Sequence, residues 1–267
     1  MTVSTTPTPT ASQPSKQSDG KTDVKILMLH GFTQSGSIFR AKTRALEKLL
    51  TKVLSSISLT PQLIYPTGPN RLLPQDIPGY SPSKNGDDDD WQPDTWAWWR
   101  RDDNSGEYLY LEKGMATIAQ TIREVGGIDG VCGFSQGGAA TGIIAAALEP
   151  QREVPDGKAG EWVRELREAN EGKALKFAVS YSGFWARPQS LKFLYEPNIK
   201  TPMMHYLGSL DTVVDEDRSQ GLIDRCEHAT TVVHPGGHHV PVSREWVMPL
   251  AGFIKDHAQE SVPKAGL

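Results

Sequence analysis

The feature that most constrains this chain is the pentapeptide Gly133-Phe134-Ser135-Gln136-Gly137, together with what stands on either side of it. Before it runs Ile128-Asp129-Gly130-Val131-Cys132, which reads as a buried strand. After it, Gly138 to Leu148 holds only small and aliphatic residues apart from Thr141, which reads as a buried helix. A Gly-x-Ser-x-Gly set between a strand and a helix is a nucleophile elbow. The turn is so tight that a Cβ at either flanking glycine would meet the neighbouring backbone. The serine is held strained at the apex, with its hydroxyl at the helix N-terminus. There the unpaired N–H groups and the helix dipole favour negative charge. Chance readily supplies a turn rich in Gly and Ser, but seldom the strand and helix around it.

Strand and helix patterns alternate along the rest of the chain. Val24–Leu29 reads as a first buried strand, followed by a helix from about Gly36 to Leu50 with Phe39, Leu46, Leu49 and Leu50 on one side. A second strand, Gln62–Tyr65, is stopped by Pro66. A helix follows from about Glu107 to Val125, with Leu111, Met115, Ile118 and Ile122 at helical spacing. Past the elbow and a polar insertion come a short charged helix (about 161–170) and strands at Leu175–Tyr181, Pro202–Leu207 and Thr230–His234. A helix starts near Asp215, and a last one runs from Arg244 to His257. About six mostly parallel strands with helices on both faces are expected, which with the elbow is the α/β-hydrolase fold. Residues 66–104 are too long a connection to be idle, so they are expected to form a lid or a pocket wall, or to be partly disordered.

Composition bounds the organisation and excludes several functions. The chain has 267 residues, which fits one large α/β domain or two small ones; 37% are hydrophobic and 22% charged, as in a soluble globular protein, and a single domain over residues 23–260 is expected. Residues 1–22 are Ser, Thr, Pro, Gln and Lys with little apolar content, and are expected to form a disordered tail. That tail has neither the apolar core of a secretory signal nor any arginine, so a cytoplasmic location is expected. A net charge of -4 without a basic stripe argues against a nucleic-acid partner, and no apolar run is long enough for a membrane span. The two cysteines, Cys132 and Cys226, form no C-x-x-C pair, and no metal or other cofactor is expected. The run Asp87–Asp90 lacks the spacing of a Ca²⁺ loop and reads as a solvated tip.

An elbow serine needs a base, an orienting acid and donors for an oxyanion. In this fold the chain order is serine, acid, histidine, each partner in a loop after a strand. Asp211, in Gly208-Ser209-Leu210-Asp211, is the expected acid. Asp215 and Asp217 fall where a helix starts, and capping explains them. The last strand ends in His234-Pro235-Gly236-Gly237-His238-His239, and His238 is the expected base: the glycine pair turns the chain, His239 would point away, and His234 is still on the strand. The expected oxyanion donors are the backbone N–H groups of Gln136 and Phe32, the latter in the loop His30–Gly36, which His30 is expected to hold by hydrogen bonding. The indoles Trp91, Trp96, Trp98 and Trp99 read either as a wall for an acyl chain or as packing beneath a long loop. Trp98 and Trp99 are the candidate substrate-binding pair.

Taken together, these motifs resemble the fungal family of serine hydrolases, whose relatives include a human tumour-suppressor-region esterase. The resemblance rests on Leu29-His30-Gly31-Phe32-Thr33-Gln34-Ser35-Gly36, Tyr65-Pro66-Thr67-Gly68-Pro69, Trp98-Trp99-Arg100, Gly130 to Gly137, Ser182-Gly183-Phe184, Gly208 to Asp211, and His234 to Pro241. It extends over roughly residues 24–255 and implies a triad of Ser135, Asp211 and His238. It also implies hydrolysis of carboxylic esters or thioesters, with an acyl-carrier or synthase partner for some members.

Overall fold

A computed structural model describes residues 21–81 and 93–258. The expected tail up to residue 20, the run Asp87–Asp90 and Trp91 lie outside the described residues. Six strands form one sheet: β1 (Thr22–Leu29), β2 (Leu59–Ile64), β3 (Gly130–Phe134), β4 (Phe177–Tyr181), β5 (Met203–Gly208) and β6 (Ala229–His234). They lie in the order β2-β1-β3-β4-β5-β6, and every neighbouring pair is parallel. Thr22, expected in the tail, opens β1 because its N–H bonds the Ser58 carbonyl at 2.9 Å.

Among the described residues six α-helices cover the sheet: α1 (Gly36–Ser55), α2 (Leu111–Val125), α3 (Gln136–Ala147), α4 (Lys158–Ala169), α5 (Glu216–Ile223) and α6 (Arg244–Ala258). Successive side chains of a strand point to opposite faces, and β1 shows the result. Ile26 and Met28 pack with Phe39, Leu46 and Leu50 of α1 and Ile254 of α6, whereas Leu27 and Leu29 pack with Met115 and Ile118 of α2 and Ile143 of α3. All twelve residues of α3 are buried, so the helix needs no polar face.

Several element boundaries differ from the sequence expectation; β2, for one, begins at Leu59 and not at Gln62, and β4 at Phe177 and not at Leu175. Helix α1 runs to Ser55 because Leu54 continues the buried stripe of Leu46 and Leu50. Helix α2 begins at Leu111 because Tyr108–Leu109 pair antiparallel with Arg100–Arg101, after which Tyr110 turns through a φ of 62°. Helix α4 begins at Lys158, ahead of the expected 161. Of the long connection, Asn70–Arg71 and Trp96–Ala97 form a second short antiparallel ribbon.

The sequence order of the strands reverses between β1 and β3. In an open parallel sheet the crevice at such a switch point, outside the carboxyl ends of the strands, is where ligands bind. Ser135 follows β3 directly, and the loop His30–Gly36 follows β1.

Candidate active site

Ser135 sits between β3 and α3 with φ 53° and ψ −113°, outside the regions an L-residue prefers. Two glycines make the turn possible. A Cβ on Gly133 would collide with the Gly137 carbonyl, and one on Gly137 with the Leu29 carbonyl of β1. The Ser135 N–H donates to the Tyr181 carbonyl at the end of β4 (2.8 Å), which pins the apex to the sheet.

The structure brings the three expected side chains together. Ser135 Oγ lies 3.0 Å from His238 Nε2, and His238 Nδ1 lies 2.7 Å from Asp211 Oδ2. Since the carboxylate can only accept, Nδ1 carries the proton and Nε2 is left to accept from the serine hydroxyl. The other carboxylate oxygen, Oδ1, accepts from the N–H groups of Val213 (2.9 Å) and Val214 (3.0 Å). Burial alone would raise the Asp211 carboxyl. The bonds from His238, Val214 and Val213 outweigh it, with a smaller pull from the Ser182 hydroxyl, and hold the group below its ordinary value.

Asp215 stands as N-cap residue of α5 and Asp217 in its first turn. His234 is buried, its Nδ1 accepting from the Gly236 N–H (3.2 Å), and the ring of His239 packs on it at 4.9 Å. Neither of these histidines bonds Ser135 or Asp211.

His30 holds two loops at once. Its Nδ1 donates to the Gly31 carbonyl (2.8 Å), and its Nε2 accepts from the Gly68 N–H (2.9 Å). Only the neutral Nδ1–H tautomer satisfies both bonds. Burial accordingly pushes its pKa down to about 4, against smaller upward pulls from the Gly31 carbonyl and Asp94. In the loop that follows, the Thr33 N–H donates to Trp96 O (3.1 Å) and the Gln34 N–H to Gly31 O (3.2 Å). Among the described residues, no hydrogen bond engages the N–H of Phe32 or of Gln136, so both remain available as donors.

The tryptophan pair divides. Trp98 is fully buried: its Nε1 donates to the His30 carbonyl (2.9 Å), and its ring lies 4.8 Å from that of His30. It belongs to the core and lines neither cavity beside Ser135, so the expected acyl wall does not include it. Trp99 stacks on Tyr108 at 4.8 Å and has an edge on a cavity of about 760 Å³. What ties the pair to the elbow is a contact that sequence reasoning missed. The Gln136 side chain accepts from the Trp98 N–H (2.8 Å) and donates to the Trp99 carbonyl (2.8 Å). The only sequence signal is a long amide side chain in the first turn of an otherwise small-residue helix.

Two cavities meet at Ser135. One, of about 600 Å³, is walled by Phe32, Phe39, Ile77, Pro78 and Val240, and His238 reaches into it. The other, on the Gln136 side, is lined by Trp99, Tyr108, Phe184 and Val214 and on its remaining sides by charged side chains such as Arg100, Arg101 and Asp102, with the Arg218 guanidinium 4.1 Å over the Phe184 ring. The described part of the connection 66–104 is therefore a pocket wall. No group of three or more His, Cys, Asp or Glu side chains among the described residues could hold a metal ion, and none of the helices searched there is long and apolar enough to cross a membrane.

Sheet order, elbow and strand-end site define an α/β-hydrolase. The sequence model of the family described as Serine hydrolase (FSH1) matches residues 20–250, and the chain belongs to that family. It is 31% identical over 235 residues to Family of serine hydrolases 2 of Saccharomyces cerevisiae, covering 86% of this chain and 97% of that relative. To Esterase OVCA2 of Danio rerio it is 27% identical over 248 residues, covering 87% and 96%. Among solved structures, acyl-protein thioesterase 2 of Zea mays is similar in fold, with a TM-score of 0.56 at 20% identity over 90% of this chain and 96% of that one.

Proposed function

We propose that the protein hydrolyses carboxylic acyl esters or thioesters through an acyl-enzyme on Ser135. The observation that carries this reading is the unbroken chain from Ser135 Oγ through His238 to Asp211, at 3.0 and 2.7 Å. His238 Nε2 takes the serine proton as Oγ attacks the acyl carbonyl. Asp211 holds the imidazole in the right tautomer and stabilises its charged form. The N–H groups of Phe32 and Gln136 receive the oxyanion. As the tetrahedral intermediate collapses, His238 returns the proton to the departing alcohol or thiol, then takes one from the water that frees the acid.

His238 reaches the smaller cavity, so the leaving group departs there and the acyl chain lies along Trp99, Tyr108 and Phe184. A cytoplasmic location fits two free thiols, Cys132 and Cys226.

The test is Ser135→Ala. It should abolish labelling by a fluorophosphonate probe and lower kcat on p-nitrophenyl esters by on the order of 10³-fold or more, with the fold intact. Undiminished labelling would overturn the assignment. In a chain-length panel, wild-type kcat/KM should rise from acetate to hexanoate, and Trp99→Ala should flatten the trend. A preference for acetate would remove the acyl wall from the reading.

A further inference from the structure

Ser182, the residue after β4, combines two features that a purely structural residue would not need, a strained backbone and a buried hydroxyl without a partner of ordinary geometry among the described residues. Its backbone is fixed from several sides. Its N–H donates to the Tyr206 carbonyl (2.8 Å), and the next carbonyl, that of Gly183, accepts from Ser219 Oγ (2.8 Å). Gly183 also packs so closely on Gly138 that a Cβ there would strike the backbone of α3. Held in this way, Ser182 has a φ of 47°, in the left-handed region where glycine is the easy residue. Its side chain is buried, and its hydroxyl makes no hydrogen bond of ordinary geometry with any described residue. Strain and a buried, unsatisfied donor are two penalties that a glycine would remove together.

The neighbour that explains a hydroxyl here is Asp211. Both residues line one cavity of about 210 Å³ behind the acid, together with Ser209, Glu216 and Ser219. Asp211 Oδ1 is saturated by the N–H groups of Val213 and Val214, whereas Oδ2 accepts only from His238. One acceptor position on Oδ2 thus remains open beside an unused donor. The hydroxyl already bears on the carboxyl, helping to hold it below its ordinary value.

We propose that Ser182 is a positioning residue for Asp211, its hydroxyl donating to Oδ2, directly or through one water in that cavity, while His238 carries its positive charge. The inference rests on the reading of Ser135, His238 and Asp211 as a triad. A fixed second donor on Oδ2 keeps the remaining lone pair aimed at Nδ1 and keeps the carboxylate ionised. Strained backbone persists where the surrounding structure over-determines it, and such positions cluster at active sites.

The experiment uses the full chain, p-nitrophenyl butyrate, and the variants Ser182→Gly, Ser182→Ala and Ser135→Ala. Ser182→Gly should lower kcat about tenfold, the effect of one lost hydrogen bond to a charged group, with KM unchanged and Tm equal or higher. The acidic limb of its kcat/KM profile should move to lower pH, because a bond made while His238 is charged stabilises the imidazolium, and without it the ring gives up its proton more readily. Ser182→Ala, which keeps the strain and loses the hydroxyl, should show the same loss of kcat at a lower Tm than the glycine variant. Wild-type kcat and pH profile in Ser182→Gly would overturn the inference. So would a loss of kcat that merely follows a falling Tm, or one without the shift of the limb. Turnover retained in Ser135→Ala would instead sink the triad reading, whereas an inactive Ser135→Ala beside a wild-type Ser182→Gly sinks the role of Ser182 alone.

Discussion

The site is assembled from two regions built on different principles. Ser135 stands at the end of β3, in the middle of the sheet, with all five strand residues buried. It is fixed by contact between backbones: Gly133 on Gly137, Gly137 on Leu29, Gly138 on Gly183. Asp211 and His238 stand on loops after β5 and β6 at one edge of the sheet, where His234 is the only buried residue of β6. They are fixed by one close backbone approach, Gly208 on the Gly236 and Gly237 carbonyls, and by directed bonds: Ser209 N–H to His234 O, Leu210 N–H to Gly236 O, and the two N–H groups on Asp211 Oδ1. Ser135 is thus held mainly by close backbone contact at three glycines, and Asp211 and His238 mainly by hydrogen bonds, which can be lost singly. Damage to the first region should appear as lost stability, and damage to the second as lost turnover in a folded protein.

The largest effect expected on the hydrogen-bonded side is that of Asp211→Asn. The wrong imidazole tautomer should lower kcat by on the order of 10²–10⁴-fold, with Tm little changed. Asp215→Asn and Asp217→Asn, measured alongside, should stay near wild type, and a larger loss in either would break the assignment of the acid. On the steric side, Gly137→Ala should destabilise by roughly 3–5 kcal/mol in urea unfolding, because its Cβ meets the Leu29 carbonyl of a buried strand.

Gln136→Leu removes the partners of two buried main-chain groups, Trp98 N–H and Trp99 O, and should cost about 2–4 kcal/mol. If it cost nothing, the amide clamp would not belong to the rigid region. His30 gives a pH test. Its pKa is depressed from the ordinary 6.5 to about 4, so the unfolded chain binds the extra proton between these values. Its contribution is present above about pH 6.5 and is lost as pH falls towards 4, by about 2 kcal/mol at pH 5. Buried His205, also lowered to about 4 by burial, adds a similar slope, and the downward shifts of His234 and His257 act in the same sense, so His30→Asn should remove part of the measured dependence. The smallest effect is expected from Gly237→Ala. Its φ is not left-handed and its Cβ would stand 3.3 Å from the Leu210 carbonyl, so it should cost under about 1 kcal/mol. A loss as large as that of Gly137→Ala would erase the contrast between the regions.

The same contrast governs what could be read from the sequence. The elbow was legible because its sterics demand glycine at fixed positions, and the parallel sheet because buried strands between helices leave a strong period. Asp211 and His238 were legible as positions, each in the loop after a strand. The connection 66–104 was not. Its ribbons pair two residues each, such as Asn70–Arg71 with Trp96–Ala97, too few to leave any period. Trp98 and Trp99 are adjacent and chemically alike, yet one is core and the other lines a cavity; what separates them is the bond of the Trp98 indole to the His30 carbonyl and the stack of Trp99 on Tyr108, neither of which composition shows. Ser182 gave no signal beyond its presence in a short motif, because a backbone angle is not written in composition.

The ribbon of Asn70–Arg71 with Trp96–Ala97 closes a neck. The chain leaves the body of the fold and rejoins it at paired positions, while the Trp98–Trp99 backbone beyond the neck is clamped independently by Gln136. The pairing brings the two ends of the connection together, and each doubling of the length of a loop closed in this way adds only about 0.6 kcal/mol of closure entropy. Ile77 and Pro78, which wall the smaller cavity, lie inside that loop. A change of length in this connection is therefore expected to reshape that cavity while Ser135, Asp211 and His238, held on other loops, keep their places.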